Sequence, residues 1–246
     1  MARSGFRIGV GLAAGLLLQA GVAPSAQAQW RVAAFLGSAS NPSSSIHLIQ
    51  PASATDLIYE PIAWDDESFV PPVYYGYRIG RSLPFAPRLS IEAEFVHLKM
   101  FADTSATARV RGTDRGVAID RREAIDRTLE RFSISHGVNF VFVNAVYRLP
   151  MGPAAHPRLT LTARGGAGPT VPHGESTIRG ESRDQYELGA LGWQASGGLE
   201  VRIAGGFHAL MDYKYTRTRQ TVGVAGGTAG TLLRTHHVVF GAGYEF

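Results

Sequence analysis

Histidine is the residue type in this sequence whose placement most clearly suggests chemistry. Six of the eight histidines fall near the predicted outer ends of strands or in the first long loop: His47, His97, His136, His173, His236 and His237. Glu175 follows His173 by two residues. Neutral imidazoles beside a carboxylate can hold a divalent or redox metal, or act as general acid and base.

These positions define a candidate site at the rim of the fold. We predict metal ligands at His173, His236, His237, His97 and His136, and catalytic roles for His173, Glu175 and His237, with Glu175 as the base. Successive strand residues point to opposite faces, so His236 and His237 cannot both point inward, and His97 is expected to point outward. The alternative for each histidine is a polar rim residue without a catalytic role, because no spacing such as H-E-x-x-H occurs.

The composition narrows the possible chemistry further. The 246 residues include no Cys, which excludes disulfides, thiolate nucleophiles and iron–sulfur ligands. No Ser stands in a recognisable nucleophile elbow. The 24 Lys and Arg residues against 20 Asp and Glu form no basic stripe, so a nucleic-acid partner is not supported.

Residues 1–28 have the pattern of a secretory signal peptide. Arg3 and Arg7 precede a short apolar segment, and a small-residue A-x-A cleavage site ends at Ala28. The apolar segment is shorter than the roughly 18 residues that a spanning helix needs. We therefore expect residues 1–28 to be cleaved and residues 29–246 to form the exported domain.

The exported domain shows eight segments of alternating polar and apolar residues, which are typical of β-strands. The predicted strands are residues 30–37, 72–82, 89–101, 137–149, 158–171, 188–203, 207–217 and 232–246. Connections after the second, fourth and sixth strands are short, and the others are long. This pattern predicts an all-β fold, an eight-stranded antiparallel transmembrane β-barrel in the outer membrane of a Gram-negative bacterium, with long extracellular loops.

The alternation also predicts which side chains face the lumen. The expected inward polar residues are Arg78, Glu92, Glu94, Arg164, Gln194, Glu200, Arg202, Asp212, Lys214 and Glu245. Bases and acids are nearly balanced, so we expect a charge network that fills a narrow eight-stranded lumen. A solute channel is therefore the least favoured function.

Two long connections and the last strand carry further expectations. Residues 102–135 hold seven Arg and six acids, which favours a solvated β-extension or loop, contact with lipopolysaccharide phosphates, or both together. Residues 223–230 are glycine-rich and are expected to form a flexible loop. The terminal aromatic Phe246 on an alternating strand resembles the signal that barrel-assembly machinery recognises in outer-membrane proteins.

Several segments resemble small outer-membrane barrels of the lipid A oxidase-like group, within the OmpA/opacity-type superfamily. They are residues 72–78 (PVYYGYR), 94–99 (EFVHLK), 136–139 (HGVN), 144–148 (NAVYR), 166–175 (GAGPTVPHGE), 186–188 (YEL), 213–216 (YKYT) and 235–237 (THH). The resemblance implies oxygen-dependent oxidation of the proximal glucosamine of lipid A, with lipid A or lipopolysaccharide as the partner. A non-enzymatic barrel for envelope integrity or surface interaction is the alternative.

Overall fold

The computed structural model describes residues 30–152 and 158–246, so the expected signal peptide lies outside the described part. Within it the chain forms seventeen β-strands and two single-turn 3-10 helices, Pro51–Ser53 and Ile125–Arg127. The strands are β1 (Trp30–Ser40), β2 (Ser44–Gln50), β3 (Thr55–Ile62), β4 (Trp64–Asp65), β5 (Tyr75–Leu83), β6 (Ala86–His97), β7 (Met100–Ala102), β8 (Thr107–Asp114), β9 (Val117–Ala124), β10 (Leu129–Ile134), β11 (Phe140–Met151), β12 (Leu159–Pro169), β13 (His173–Ile178), β14 (Glu181–Tyr186), β15 (Leu191–Ala204), β16 (Phe207–Val224) and β17 (Gly227–Glu245). No helix in the described residues is long and apolar enough to cross a membrane.

The longest strands pair antiparallel in one continuous row. The order is β1-β5-β6-β11-β12-β15-β16-β17, and β17 pairs again with β1. Hydrogen bonding therefore passes around a ring. The connections β5–β6, β11–β12 and β15–β16 are short and lie at one end, while the long segments lie at the other. The predicted all-β class is confirmed, and each predicted strand overlaps one strand of this ring.

Side chains on these strands alternate between a polar interior and an apolar exterior. On β16, Asp212 and Lys214 are buried, while Met211 and Tyr213 are exposed. The same parity leaves Trp193, Phe240 and many other large apolar side chains exposed on the outside of the ring. An exterior that is more apolar than the interior suits a fold whose surroundings are hydrocarbon rather than water.

The lumen at the short-turn end is filled by ion pairs. Arg78 donates to Glu94 at 3.1 Å and to Asp212 at 2.6 Å. Arg164 pairs with Asp212 at 3.0 Å, with Glu92 at 3.1 Å and with Glu200 at 3.2 Å. A buried charge is costly unless it is paired and hydrogen-bonded, and these groups satisfy one another.

The prediction of inward-facing polar residues is wrong for one of them, Arg202. Arg202 is exposed, as are the other residues from 201 to 204, which form the end of β15 at the short-turn end of the ring. Two arginines that the alternation did not single out join the network instead. Arg148 lies 3.5 Å from Glu92, and Arg31 lies 3.1 Å from Glu200.

The long segments form a second layer rather than loops. β16 and β17 continue past the ring, β2, β3, β8 and β9 extend their sheet, and a separate sheet has the order β14-β13-β10-β7-β4. The two sheets share an apolar core that includes Ile46, Leu57, Val110, Ile125, Phe132, Ile178 and Val222. This outer layer is therefore a small β-sandwich.

The sandwich tests two sequence-based expectations. Residues 102–135 hold β7 to β10, so the expected β-extension is confirmed, and contact of its arginines with lipopolysaccharide phosphates stays a prediction. Residues 223–230 are not a flexible loop, because they form the tip of the β16–β17 hairpin, where Val224 and Ala229 are buried. Glycine at position 226 has φ +68°, which allows the tight turn between the two strands.

Candidate functional site

Three of the predicted site residues converge at the base of the outer layer. His136 Nδ1 lies 3.1 Å from His173 Nδ1 and 3.3 Å from Glu175 Oε1, and His173 Nδ1 lies 3.7 Å from the same oxygen. His173 and Glu175 are nearly buried, whereas 56% of the His136 side chain is exposed. The cluster is thus anchored on one side and open to its surroundings on the other.

Strand pairing accounts for this convergence. His173 and Glu175 are two residues apart on β13 and so share one face of that strand. Their directly opposite partners on β14 are Tyr186 and Asp184. The opposite face of β13 packs inward, where Ile178 joins the sandwich core. Because the Ile178 face of β13 packs into the sandwich core, His173 and Glu175 point away from that core.

Asp184 orients the His173 ring. Its carboxylate lies 2.6 Å from His173 Nε2, and the Tyr186 ring centroid lies 4.2 Å from that of His173. A carboxylate at Nε2 favours the tautomer with the proton on that nitrogen, which leaves a lone pair on Nδ1. His173 Nδ1 is therefore directed at His136 and Glu175 as an acceptor or ligand atom.

The three converging atoms fit the coordination shell of a small divalent metal. Bonds of about 2.0–2.1 Å to a tetrahedral metal place neighbouring ligand atoms roughly 3.3–3.4 Å apart. The measured edges of 3.1, 3.3 and 3.7 Å are close to that spacing. Two imidazoles and one carboxylate also form the donor set of non-haem iron sites. His136, His173 and Glu175 are the residues that would hold the metal.

The surroundings keep Glu175 in its charged form. Burial by itself raises the pKa of this carboxyl, but the Ser135 hydroxyl, the Arg131 guanidinium and the two imidazoles outweigh it and lower the pKa. Ser135 donates to Oε1, and Arg131 Nη2 lies 2.5 Å from Oε2. An ionised carboxylate at neutral pH can serve as a metal ligand or as a base.

His97 lies beside the cluster without joining it. It is buried on the outward side of β6, where its ring stacks on Tyr75 at 4.9 Å between centroids. Its Nδ1–H donates to Asn139 Oδ1 at 2.9 Å, and the Asn139 amide donates to the His136 carbonyl at 3.1 Å. A Cβ at Gly137 would lie 2.4 Å from His97 Nδ1, so this turn requires glycine. His97 supports the loop that carries His136.

The two adjacent histidines of β17 are directed elsewhere, so the expectation that His236 and His237 join His173 is wrong. His237 is buried inside the ring, with Nδ1 3.0 Å from the Tyr74 hydroxyl and Nε2 2.9 Å from Thr216 Oγ1. His236 faces outward, 2.6 Å from the Tyr213 hydroxyl. Both nitrogens of His237 have partners inside the ring, so His237 does not join the group formed by His136, His173 and Glu175.

Sequence reasoning missed three residues of the cluster: Arg131, Ser135 and Asp184. The position of Asp184 could have been inferred from the Arg179-Gly180 pair. Both residues have positive φ, and together they close the β13–β14 hairpin. A two-residue turn at that point sets the register that places Asp184 opposite Glu175.

Comparison with known proteins now identifies the fold. Residues 10–246 match a family model described as the outer membrane protein beta-barrel domain. The chain belongs to this family. A comparison with curated proteins finds no match.

Solved structures of similar proteins are outer-membrane proteins. OprG from Pseudomonas aeruginosa has a TM-score of 0.49 and 12% identity, with 89% of this chain and 96% of that chain covered. Neisserial surface protein A has a TM-score of 0.44 and 9% identity, with 88% and 97% covered. Membership of the outer membrane protein beta-barrel family, and not the likeness to these structures, locates the protein in the outer membrane of a Gram-negative bacterium.

Membership of the family gives the cluster its place in the membrane. In bacterial outer-membrane barrels the short turns face the periplasm and the long segments face the outside. His136 precedes β11 by four residues, and His173 follows β12 by four, so both lie just beyond the extracellular ends of barrel strands. The exposed side chains of Tyr186, Leu188 and Leu191 lie on the segment that leads into β15. The cluster therefore lies just beyond the extracellular ends of the barrel strands, next to exposed apolar side chains.

Proposed function

We propose that this outer-membrane barrel is a metal-dependent enzyme that acts on lipid A, oxidising its proximal glucosamine with dioxygen as the oxidant. The observation that carries the proposal is the convergence of His136, His173 and Glu175 just beyond the extracellular ends of the barrel strands. The resemblance to lipid A oxidase-like barrels supplies the reaction type. The anomeric hemiacetal carbon would lose two electrons and two protons to dioxygen, which is reduced to hydrogen peroxide, and water would supply the second oxygen of the resulting carboxylate. A metal bound there would polarise the anomeric hydroxyl.

The chain's own residues supply the other requirements of such a site. Asp184 holds the His173 ring by its Nε2 atom, which keeps Nδ1 available. Three ligands leave positions open for a substrate oxygen, as catalytic rather than structural metal sites require. The lowered pKa of Glu175 keeps this carboxylate in the ionised form that a metal ligand requires.

The surroundings of the cluster suit an amphiphilic substrate. Leu188 and Leu191 are more than 70% exposed and are placed to contact acyl chains. Arg131, 56% exposed and already at the cluster, presents a guanidinium to phosphate or sugar oxygens on the same molecule. A lipid with a phosphorylated sugar headgroup meets both requirements at once.

Mass spectrometry of lipid A tests the proposal directly. Cells that carry the gene should contain lipid A with one additional oxygen atom, and cells without it should not. A His173→Ala variant should lose the modification while the barrel still folds. A His47→Ala variant is the matched control, because His47 pairs with Asp56 in the other sheet of the outer layer.

The outcome also decides between the two candidate functions. Equal amounts of modified lipid A with the wild type and with His173→Ala, or no modification with either, would leave the non-enzymatic barrel as the function. Folding is checked separately by migration on an unheated gel, on which intact outer-membrane barrels run differently from unfolded chains.

A further inference from the structure

Three arginines form a group on the outside of the β16–β17 hairpin, away from the histidine cluster. Arg217 and Arg219 are two residues apart on one face of β16, and Arg234 lies on the same face of β17. All three side chains are exposed. Arg217 and Arg234 are directly opposite each other in the strand register, and Arg219 is the diagonal neighbour of Arg234.

This arrangement lacks the countercharge that other arginines of the chain have. Like charges directly opposite on neighbouring strands destabilise a sheet. Within the described residues, no carboxylate lies within 4.0 Å of Arg217, Arg219 or Arg234. In contrast, Arg109 and Arg111 of the sandwich pair with Asp120 and Glu60. The positive charges of these three arginines would be stabilised by an anion from outside the chain.

The residues on the same face show where this anion would lie. The next pair on this face, toward the short-turn end of the ring, is Tyr215 and His236. Next comes Tyr213 opposite Val238, and then Met211 opposite Phe240. Trp193 of β15 is the neighbour of Arg217 on the other side.

The order of side chains along this face, from arginine through tyrosine to apolar residues, indicates its depth in a membrane. Tyrosine and tryptophan side chains lie at the level where hydrocarbon meets headgroups, and apolar side chains lie deeper. The arginines are one to two residue pairs further out, at the level of the headgroup phosphates.

We infer that Arg217 and Arg234, with Arg219 beside them, bind the phosphate groups of a lipid A molecule whose acyl chains lie along the apolar face below. The guanidinium fork matches phosphate oxygens in a bidentate geometry. The continuous apolar face below favours a membrane lipid over a soluble anion. This site depends on the position of the hairpin in the membrane and not on any reaction at His136 and His173.

Binding measurements on the folded protein in a neutral detergent test the inference. The probes are lipid A with both phosphates, the same lipid A without phosphates, and inorganic phosphate, and native mass spectrometry counts the bound lipid. The test variant is Arg217→Gln/Arg234→Gln. The matched control is Arg115→Gln/Arg122→Gln, which removes two positive charges from the exposed tip and edge of the sandwich.

The wild type and the control should retain phosphorylated lipid A, and the test variant should bind it at least about tenfold more weakly, as loss of one charge-assisted contact predicts. Dephosphorylated lipid A should bind equally weakly to all three. Affinity of the test variant within twofold of the wild type would overturn the inference. Equally tight binding of inorganic phosphate would also overturn it, by showing a free-anion site.

A stability measurement shows whether weaker binding by the test variant is caused by misfolding. In neutral detergent the test variant should melt at the same temperature as the wild type or higher, because a repulsive pair has been removed. Added phosphorylated lipid A should raise the melting temperature of the wild type and of the control, but not that of the test variant. If the test variant melts lower in detergent alone, the two arginines are stabilising without a ligand, and the inference is wrong. An Arg217→Lys/Arg234→Lys variant should keep part of the affinity, because the charge remains but the fork is lost.

Discussion

His136 Nδ1 and His173 Nδ1 lie 3.1 Å apart, although 37 positions separate the two residues in the sequence. Two imidazole nitrogens at this distance share either a proton or a cation. The Asp184 carboxylate, 2.6 Å from His173 Nε2, places the His173 proton on that atom. Without a metal, His136 must therefore donate the proton between the rings, and metal binding must displace that proton.

The first prediction is that the purified protein binds one divalent metal ion per chain. Any metal already present is first removed with a chelator, and the metal-free protein is then titrated. Co²⁺ is a suitable probe because its absorption spectrum reports the ligand geometry. Removal of one imidazole, in His136→Ala or His173→Ala, should weaken binding at least about tenfold, while His47→Ala should bind as the wild type does. Binding that is unaffected by both site variants would rule out this metal site.

A second prediction concerns Asp184, which lies opposite Glu175 and does not belong to the ligand set. Asp184→Asn should weaken metal affinity about 10- to 100-fold, as loss of a carboxylate that orients a ligand histidine does. Glu181→Gln on the same strand is the control, because it removes an equal charge at the far end of β14. If Asp184→Asn leaves the affinity unchanged, Asp184 does not orient the ring.

A third prediction follows from the lowered pKa of Glu175. A carboxyl whose pKa is lower in the folded state stabilises that state above its unfolded pKa of about 4.3, and this stability is lost as pH falls through the folded value. The metal-free wild type should therefore lose stability between about pH 4 and more acidic values, and Glu175→Gln should lose less. Arg131→Gln should reduce the pH dependence in part. Identical pH profiles for Glu175→Gln and the wild type would contradict the charge assignment.

The ring of strands could be predicted from the sequence because alternation is a local property. Asp212 and Lys214 alternate with Met211 and Tyr213 in a way that needs no knowledge of neighbouring strands. The sandwich could not be predicted in the same way. Its inward residues, such as Val110, stand among arginines and acids whose exposed ion pairs dominate the composition of the segment.

The candidate site needed information that only strand register provides. His136, His173 and Glu175 were all predicted site residues, but the sequence did not show that these three converge. His136 lies two positions beyond the end of β10. The failure at His237 has a different cause. Its inward direction follows from parity, but sequence does not reveal that Tyr74, from the segment before β5, fills the space between it and the rim.

A fourth prediction concerns the charge network in the lumen. Glu94 accepts hydrogen bonds from both Arg78 and Lys214 in the buried interior. Glu94→Gln leaves these two charges without their shared partner and should lower the free energy of unfolding by about 3–5 kcal/mol. Adding Lys214→Met should restore part of the loss, because one uncompensated charge is removed. Denaturant unfolding measures both, and an additive effect of the two substitutions would show that the ion pair is not coupled.

The last prediction tests the assignment of the membrane-facing side. Leu199 on β15 lies between Leu161 of β12 and Met211 of β16, in the middle of the apolar outer face. Leu199→Arg should lower the free energy of unfolding in lipid by roughly 2–4 kcal/mol, because a charge at mid-membrane depth is poorly solvated. Leu191→Arg, at the outer end of the same strand, is the matched control and should cost about 0–1 kcal/mol. Equal costs at the two positions would mean that β15 does not cross the membrane in this orientation.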